Sequence, residues 1–124
     1  MATGTVTVTE KLTTSTVKSV VWNWLSTAAG AASETTTAAV DGLIEYVVFV
    51  PDGGGTQPTD QYDITITDSN SVDVLGGLGA NLSNAANVYK ARKDGLGAVA
   101  GSTLTLNVTN AGNAKGGIVV LYFR

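Results

Sequence analysis

The chain has 124 residues, of which 44% are hydrophobic and only 14% charged, with a formal net charge of −3. That length is one domain by the usual size relation and is enough to bury a core, and the apolar fraction argues against disorder despite 15 glycines. There is no cysteine and no histidine, which excludes disulfides, thiolate catalysis, cysteine-held zinc and the commonest general base.

Residues 4–13 alternate threonine and valine through Thr5-Val6-Thr7-Val8-Thr9. A strand turns successive side chains to opposite faces, so this run buries an aliphatic row and shows hydroxyls to water. Residues 1–13 therefore read as an extended arm or edge strand. Residues 17–26 read as a second strand, with Val20, Trp22 and Trp24 on one face and Val21, Asn23 and Leu25 on the other. A helix over 17–32 competes because of the alanines, but the Val-Val-Trp-Asn-Trp run and Gly30 favour a strand entering a loop. A short strand is expected near residues 34–37.

Residues 42–50 form the strongest strand, apolar on both faces. Such a strand is either central and covered twice, or has one face on the core and the other on a neighbouring subunit. Pro51 and the glycines 53–55 end it. Residues 62–67 read as a strand, 68–71 as a turn and 72–75 as the start of a hairpin partner. From 76 to 101 runs a long Gly/Ala/Asn-rich connection with one short strand near 87–91. A connection of that length is expected to be functional or packed against something. Residues 103–109 and 117–124 close the chain as a hairpin. Seven or eight strands without heptads or βαβ units predict one all-β domain over 1–124, an antiparallel β-sandwich, jelly-roll-like, with long loops.

Few residues offer chemistry. Asp68-Ser69-Asn70 resembles the start of a calcium loop, but neither the glycine at the sixth place nor the closing glutamate follows, so Asp63, Asp68 and Asp73 read as turn residues. Gly76-Gly77-Leu78-Gly79 lacks the lysine and the helix that a phosphate loop needs. Glu45, set in the most apolar strand, is either a carboxylate with a raised pKa or, more simply, one pointing to an exposed or interface face. Trp22 and Trp24 fit a core plug, an interface anchor or a sugar-stacking platform. Lys90-Ala91-Arg92-Lys93 is the only basic cluster; three charges neutralise too few phosphates for nucleic-acid binding and suit an acidic protein surface or a solvated loop. No metal site, cofactor or catalytic residue is implied. Asn81-Leu82-Ser83 and Asn107-Val108-Thr109 match the glycosylation triplet but follow no signal peptide, and no apolar stretch is long enough to span a membrane.

The order of strand and turn signatures resembles that of small structural proteins of tailed bacteriophages. It runs from Val17-Lys18-Ser19-Val20 through Trp22 and Trp24, Glu34-Thr35-Thr36, Gly42-Leu43-Ile44 and Val50-Pro51. It continues through 62–68, Asp73-Val74-Leu75-Gly76-Gly77, 102–106 and Asn110-Ala111-Gly112. The chain is similar to virion proteins encoded near capsid genes and to capsid decoration (cement) proteins with β-sandwich folds. The resemblance implies a non-enzymatic part of the virion, on the capsid surface and assembled in the bacterial cytoplasm. It implies a homotrimer that binds the major capsid protein, with no nucleic acid, membrane or cofactor involved. Trp22, Trp24, Tyr46 and Phe49 are the expected core or interface anchors, and Lys90, Arg92 and Lys93 the polar contacts. A carbohydrate- or receptor-binding module of a fibre, or a tail or neck component, is the alternative.

Overall fold

The structure, a computed structural model, describes residues 4–12 and 17–124. Among these residues nine strands form: β1 (Thr5–Lys11), β2 (Lys18–Leu25), β3 (Ala32–Thr35), β4 (Val40–Pro51), β5 (Asp63–Thr67), β6 (Val88–Ala91), β7 (Ala98–Ser102), β8 (Thr105–Thr109) and β9 (Gly116–Phe123). Every pairing is antiparallel. One sheet has the order β1-β2-β9-β4, and the far side of β4 is shared by β7 along Val40–Leu43 and β6 along Tyr46–Phe49. The second sheet has the order β3-β8-β5.

Counted from β2, the first strand pairs with the last (β2 with β9), the second with the next to last (β3 with β8), and the third with β7. Then β9 also pairs with β4, and β8 with β5. A long hairpin wrapped into two sheets in this way is a jelly roll. The all-β, antiparallel, jelly-roll-like sandwich expected from the sequence is therefore the fold. Where a further strand would flank β5, residues 72–82 run irregularly along it. The Ile66 carbonyl accepts from Val74 N at 2.8 Å, the Gly79 carbonyl from Ile64 N at 2.7 Å and the Tyr62 carbonyl from Leu82 N at 2.8 Å.

The core lies between the sheets. Val20, Trp22 and Trp24 of β2, Ile44, Val47 and Phe49 of β4, and Val119, Leu121 and Phe123 of β9 face Ala32, Ile64, Ile66, Leu106 and Val108. Trp24 packs on Tyr62 with ring centroids 5.8 Å apart. Both indole N–H groups meet no acceptor among the described residues. Each costs about 1–3 kcal/mol, whereas burying roughly 200 Å² of ring at about 25 cal/mol per Å² returns about 5 kcal/mol, so burial wins.

In β4 the strict alternation breaks. Ile44 stands opposite Phe123 and Tyr46 opposite Tyr122, so Glu45 is an extra residue, a β-bulge. The bulge lets Ile44, Val47 and Phe49 all point inward while Glu45, Tyr46, Val48 and Val50 lie toward the other face.

Three local expectations change. Residues 72–75 bridge β5 only at Thr67–Asp73 and form no strand. The short strand expected at 34–37 forms two residues earlier, as β3. The 76–101 connection contains β7, which the sequence reading missed. Of the expected arm, residues 5–11 form the edge strand β1, and residues 1–3 and 13 lie outside the described residues.

Candidate interaction surface

The outward face of the larger sheet follows from strand register. Thr9, Val21, Val120, Val48 and Tyr89 stand side by side across five strands. Thr7, Asn23, Ile118 and Val50 form the row on one side, and Lys11, Ser19, Tyr122 and Tyr46 the row on the other. From Val21 to Tyr89 this face is almost wholly apolar, and among the described residues no element lies over it. Strand and residue spacings make the apolar centre roughly 14 Å across and roughly 14 Å along the strands, or about 300–400 Å² with side-chain width included. That is the size of the largest apolar patch a typical monomer shows, and such patches commonly mark binding sites.

Three tyrosines crowd one end of it. The ring centroids of Tyr46 and Tyr89 are 6.0 Å apart and those of Tyr46 and Tyr122 6.3 Å, and Tyr89 is 53% exposed. The bulged Glu45 sits at their margin between two guanidinium groups, 3.6 Å from Arg92 and 3.8 Å from Arg124. Next to it the Asp94 carboxylate accepts from Ala91 N at 2.8 Å and pairs with Lys93 at 3.4 Å. The backbone hydrogen bond, helped by the lysine, holds that carboxyl below the usual range. The patch is apolar in the middle with charge confined to the rim, the usual layout of a protein-binding surface.

No family model, curated protein or solved structure matches the chain.

The residues singled out by sequence divide between core and surface. Trp22 (0% exposed), Trp24 (2%) and Phe49 (0%) fill the space between the sheets. Of the two alternatives read from the sequence, core or interface, these three take the core: their strand positions share the inward parity, and the buried indoles offer no face to a partner or a sugar. Tyr46 lies on the outward face. Lys90 is on the edge strand β6, and Arg92 and Lys93 are in the single 3-10 turn Arg92–Asp94 that follows. The structure thus gathers Tyr46, Arg92 and Lys93 at one end of the face. Sequence reasoning missed Tyr89, Tyr122 and the Val21–Val120–Val48 row. Their apolar character was legible; their adjacency depends on register between strands far apart in the chain.

The acidic residues of the β5 region hold backbone. Asp68 Oδ1 accepts from Asn70 N and Val72 N at 2.9 and 3.0 Å. Asp73 accepts from Ile66 N, Leu75 N and Gly77 N at 3.1, 3.1 and 3.0 Å. Asp63 accepts from Asn81 N at 2.8 Å and Asn110 Nδ2 at 2.6 Å. These carboxylates are turn and loop fasteners, the ordinary use of aspartate. Among the described residues no three His, Cys, Asp or Glu side chains group to hold a metal ion, and no helix is long and apolar enough to cross a membrane. What the arrangement supplies is area.

Proposed function

We propose that the chain is a structural protein of a tailed-bacteriophage virion, a decoration protein that seats on the major capsid protein as a homotrimer and stabilises the head. The observation that carries this reading is the uncovered apolar face from Val21 to Tyr89. The phage setting comes from the resemblance in strand and turn signatures. Burying roughly 400 Å² of such a face is worth about 10 kcal/mol gross, against association costs of about 4–15 kcal/mol. One such contact is marginal. Three, tied together in one trimer, hold by avidity without any single strong bond.

The test is co-sedimentation with expanded capsids. The chain pellets with the particles, and Val48→Asp, which places a charge in the middle of the face, weakens retention at least ~tenfold while thermal unfolding stays close to that of the parent. Failure of the parent to pellet, or equal retention of Val48→Asp, overturns the reading. A second reading, a sugar-binding module, is favoured by the Tyr46–Tyr89–Tyr122 cluster, because sugar rings stack on exposed aromatic faces. Glycan binding lost in Tyr89→Ala, with no capsid retention, would select it.

A further inference from the structure

Among the described residues the larger sheet has two unpaired edges, and they differ in a complementary way. At one, β1 pairs with β2 alone. Edge strands are normally blunted by proline, bulges or charge within the inward row. β1 has no proline, runs seven residues in unbroken register, and keeps Val6 and Val8 in its inward row until Glu10. Both valines are only partly covered by the core, because β3, the facing edge of the other sheet, is four residues long. A groove of about 330 Å³ remains there, lined by Val6, Val8, Glu10, Glu34, Thr35 and Thr37. Its two carboxylates accept hydrogen bonds from neutral groups: Glu10 from Thr37 Oγ1 at 2.6 Å, Thr37 N at 3.4 Å and Ala38 N at 3.2 Å, Glu34 from Thr35 N at 3.1 Å. Neither pairs with a cation among the described residues.

At the opposite edge β6 pairs with β4 alone. Its inward row is Val88, again only partly covered, and then Lys90. Lys90 has no ion pair among the described residues, and Arg92 and Lys93 follow it. One edge thus offers valine then glutamate, and the other valine then lysine.

We propose that a second copy of this chain adds its β6 edge to the β1 edge of the first, head to tail. Antiparallel order through β1, β2, β9, β4 and β6 makes β1 and β6 run in the same direction. A copy rotated about an axis along the strands keeps that direction, so the new pairing is parallel. Setting Val88 beside Val8 then sets Lys90 beside Glu10 in the inward row and Tyr89 beside Thr9 in the outward one. The apolar row of the outward face continues into the next subunit, and the backbone groups still unpaired on the two edges find partners, Ala91 N being already taken by Asp94. A head-to-tail contact that closes on itself makes a ring. The inference rests on the homotrimer reading above and names the surface that builds it.

Sedimentation of the full chain tests it, with Glu10→Lys, Lys90→Glu and the double reversal as variants and near-UV circular dichroism as the check on folding. Because Glu10 also fastens Thr37 and Ala38, Lys90→Glu on the edge strand carries the test alone if Glu10→Lys loses the folded spectrum. The parent sediments as a trimer, each single reversal weakens self-association at least ~tenfold, and the double regains it to within about threefold. A parent that is monomeric at about 100 µM, where even weak specific contacts are populated, overturns both the edge pairing and the homotrimer. A trimer indifferent to both reversals, or a twofold dimer, overturns the edge pairing; retention on capsids is read separately by pelleting.

Discussion

Trp24 and Gly117 face each other across β2 and β9, and the indole occupies the space that a side chain at 117 would take. A Cβ on Gly117 would stand 2.9 Å from Cζ2 of Trp24 and 2.8 Å from the Val50 carbonyl oxygen. The inward row of β9 accordingly runs from a bare position to Val119, Leu121 and Phe123, with the largest side chain of the core seated over the smallest. In sequence Gly116-Gly117 reads as the end of a turn; in the structure Gly117 is a packing residue. Gly117→Ala forces either the indole or the β4 backbone to move, at a cost of about 1–3 kcal/mol. Urea unfolding followed by tryptophan fluorescence measures it, with a red shift of the folded-state emission where the indole is displaced. Gly53 is the control: nothing lies within 4 Å of a Cβ built there, so Gly53→Ala leaves the midpoint unchanged.

Residues 72–82 show how an element can be replaced without leaving its neighbour bare. Asp73 takes the Ile66 amide with its side chain and gathers the amides of Leu75 and Gly77 as well, so the chain curls where a hairpin strand would have run straight. Further on, Gly79 comes so close to β5 that a Cβ would run into the Ile64 carbonyl. Gly79→Val should detach this segment locally. Amide exchange at Ile64 and Leu82 is then expected to quicken at least ~tenfold, while Trp22 and Leu121 in the β2–β9 pair keep their protection. Unchanged exchange at Ile64 would mean that its bond to Gly79 contributes nothing to the edge. The sequence shows β1, β5 and β8 plainly, since each alternates between one buried and one wet face, and β2 and β9 as runs of β-branched and aromatic residues. It does not show β7, where Val99 is the only sizeable apolar residue between Ala98 and Ser102. Nor does it reveal the bulge at Glu45, because both faces of β4 are apolar and either parity fits. The outward patch was foreseeable only as the second apolar face of β4. Placing Tyr89 and Tyr122 beside Tyr46 needs the register of β6 and β9, and that is fixed by the wrapped topology.

The jelly roll buries its aromatic core with ionisable groups at the margins, and this sets how the fold answers to pH. Tyr62 is 1% exposed, and burial, with the Asp52 carboxylate adding to it, pushes its hydroxyl up to about 12. The folded state therefore holds the neutral phenol at a pH where the unfolded chain releases the proton. Its contribution is whole below the ordinary value of about 10 and is lost between there and about 12, at about 1.4 kcal/mol per pH unit. At the acid end, the Thr37 hydroxyl, together with the backbone amides of Ala38 and Thr37, holds the Glu10 carboxyl below its usual value against the opposing pull of burial. That contribution is present above the ordinary carboxylate range and fades as pH falls through it. Histidine and cysteine, whose ordinary values lie between these limits, are absent. Stability is therefore expected to be level from roughly pH 5 to 10, with an acid limb and an alkaline limb of separate origin. Urea midpoints collected across pH 3–11.5 (roughly, the span of both limbs) measure it. Thr37→Val should shallow only the acid limb and Tyr62→Phe only the alkaline one. A slope through neutrality, or an alkaline limb unchanged in Tyr62→Phe, would place the controlling group elsewhere. Such a level profile also separates the two kinds of contact proposed for this protein. Burial of the outward face should be nearly indifferent to pH between roughly 5 and 10, whereas self-association through Glu10 and Lys90 should weaken along the acid limb, as the Glu10 carboxyl, held below its usual value, takes up its proton.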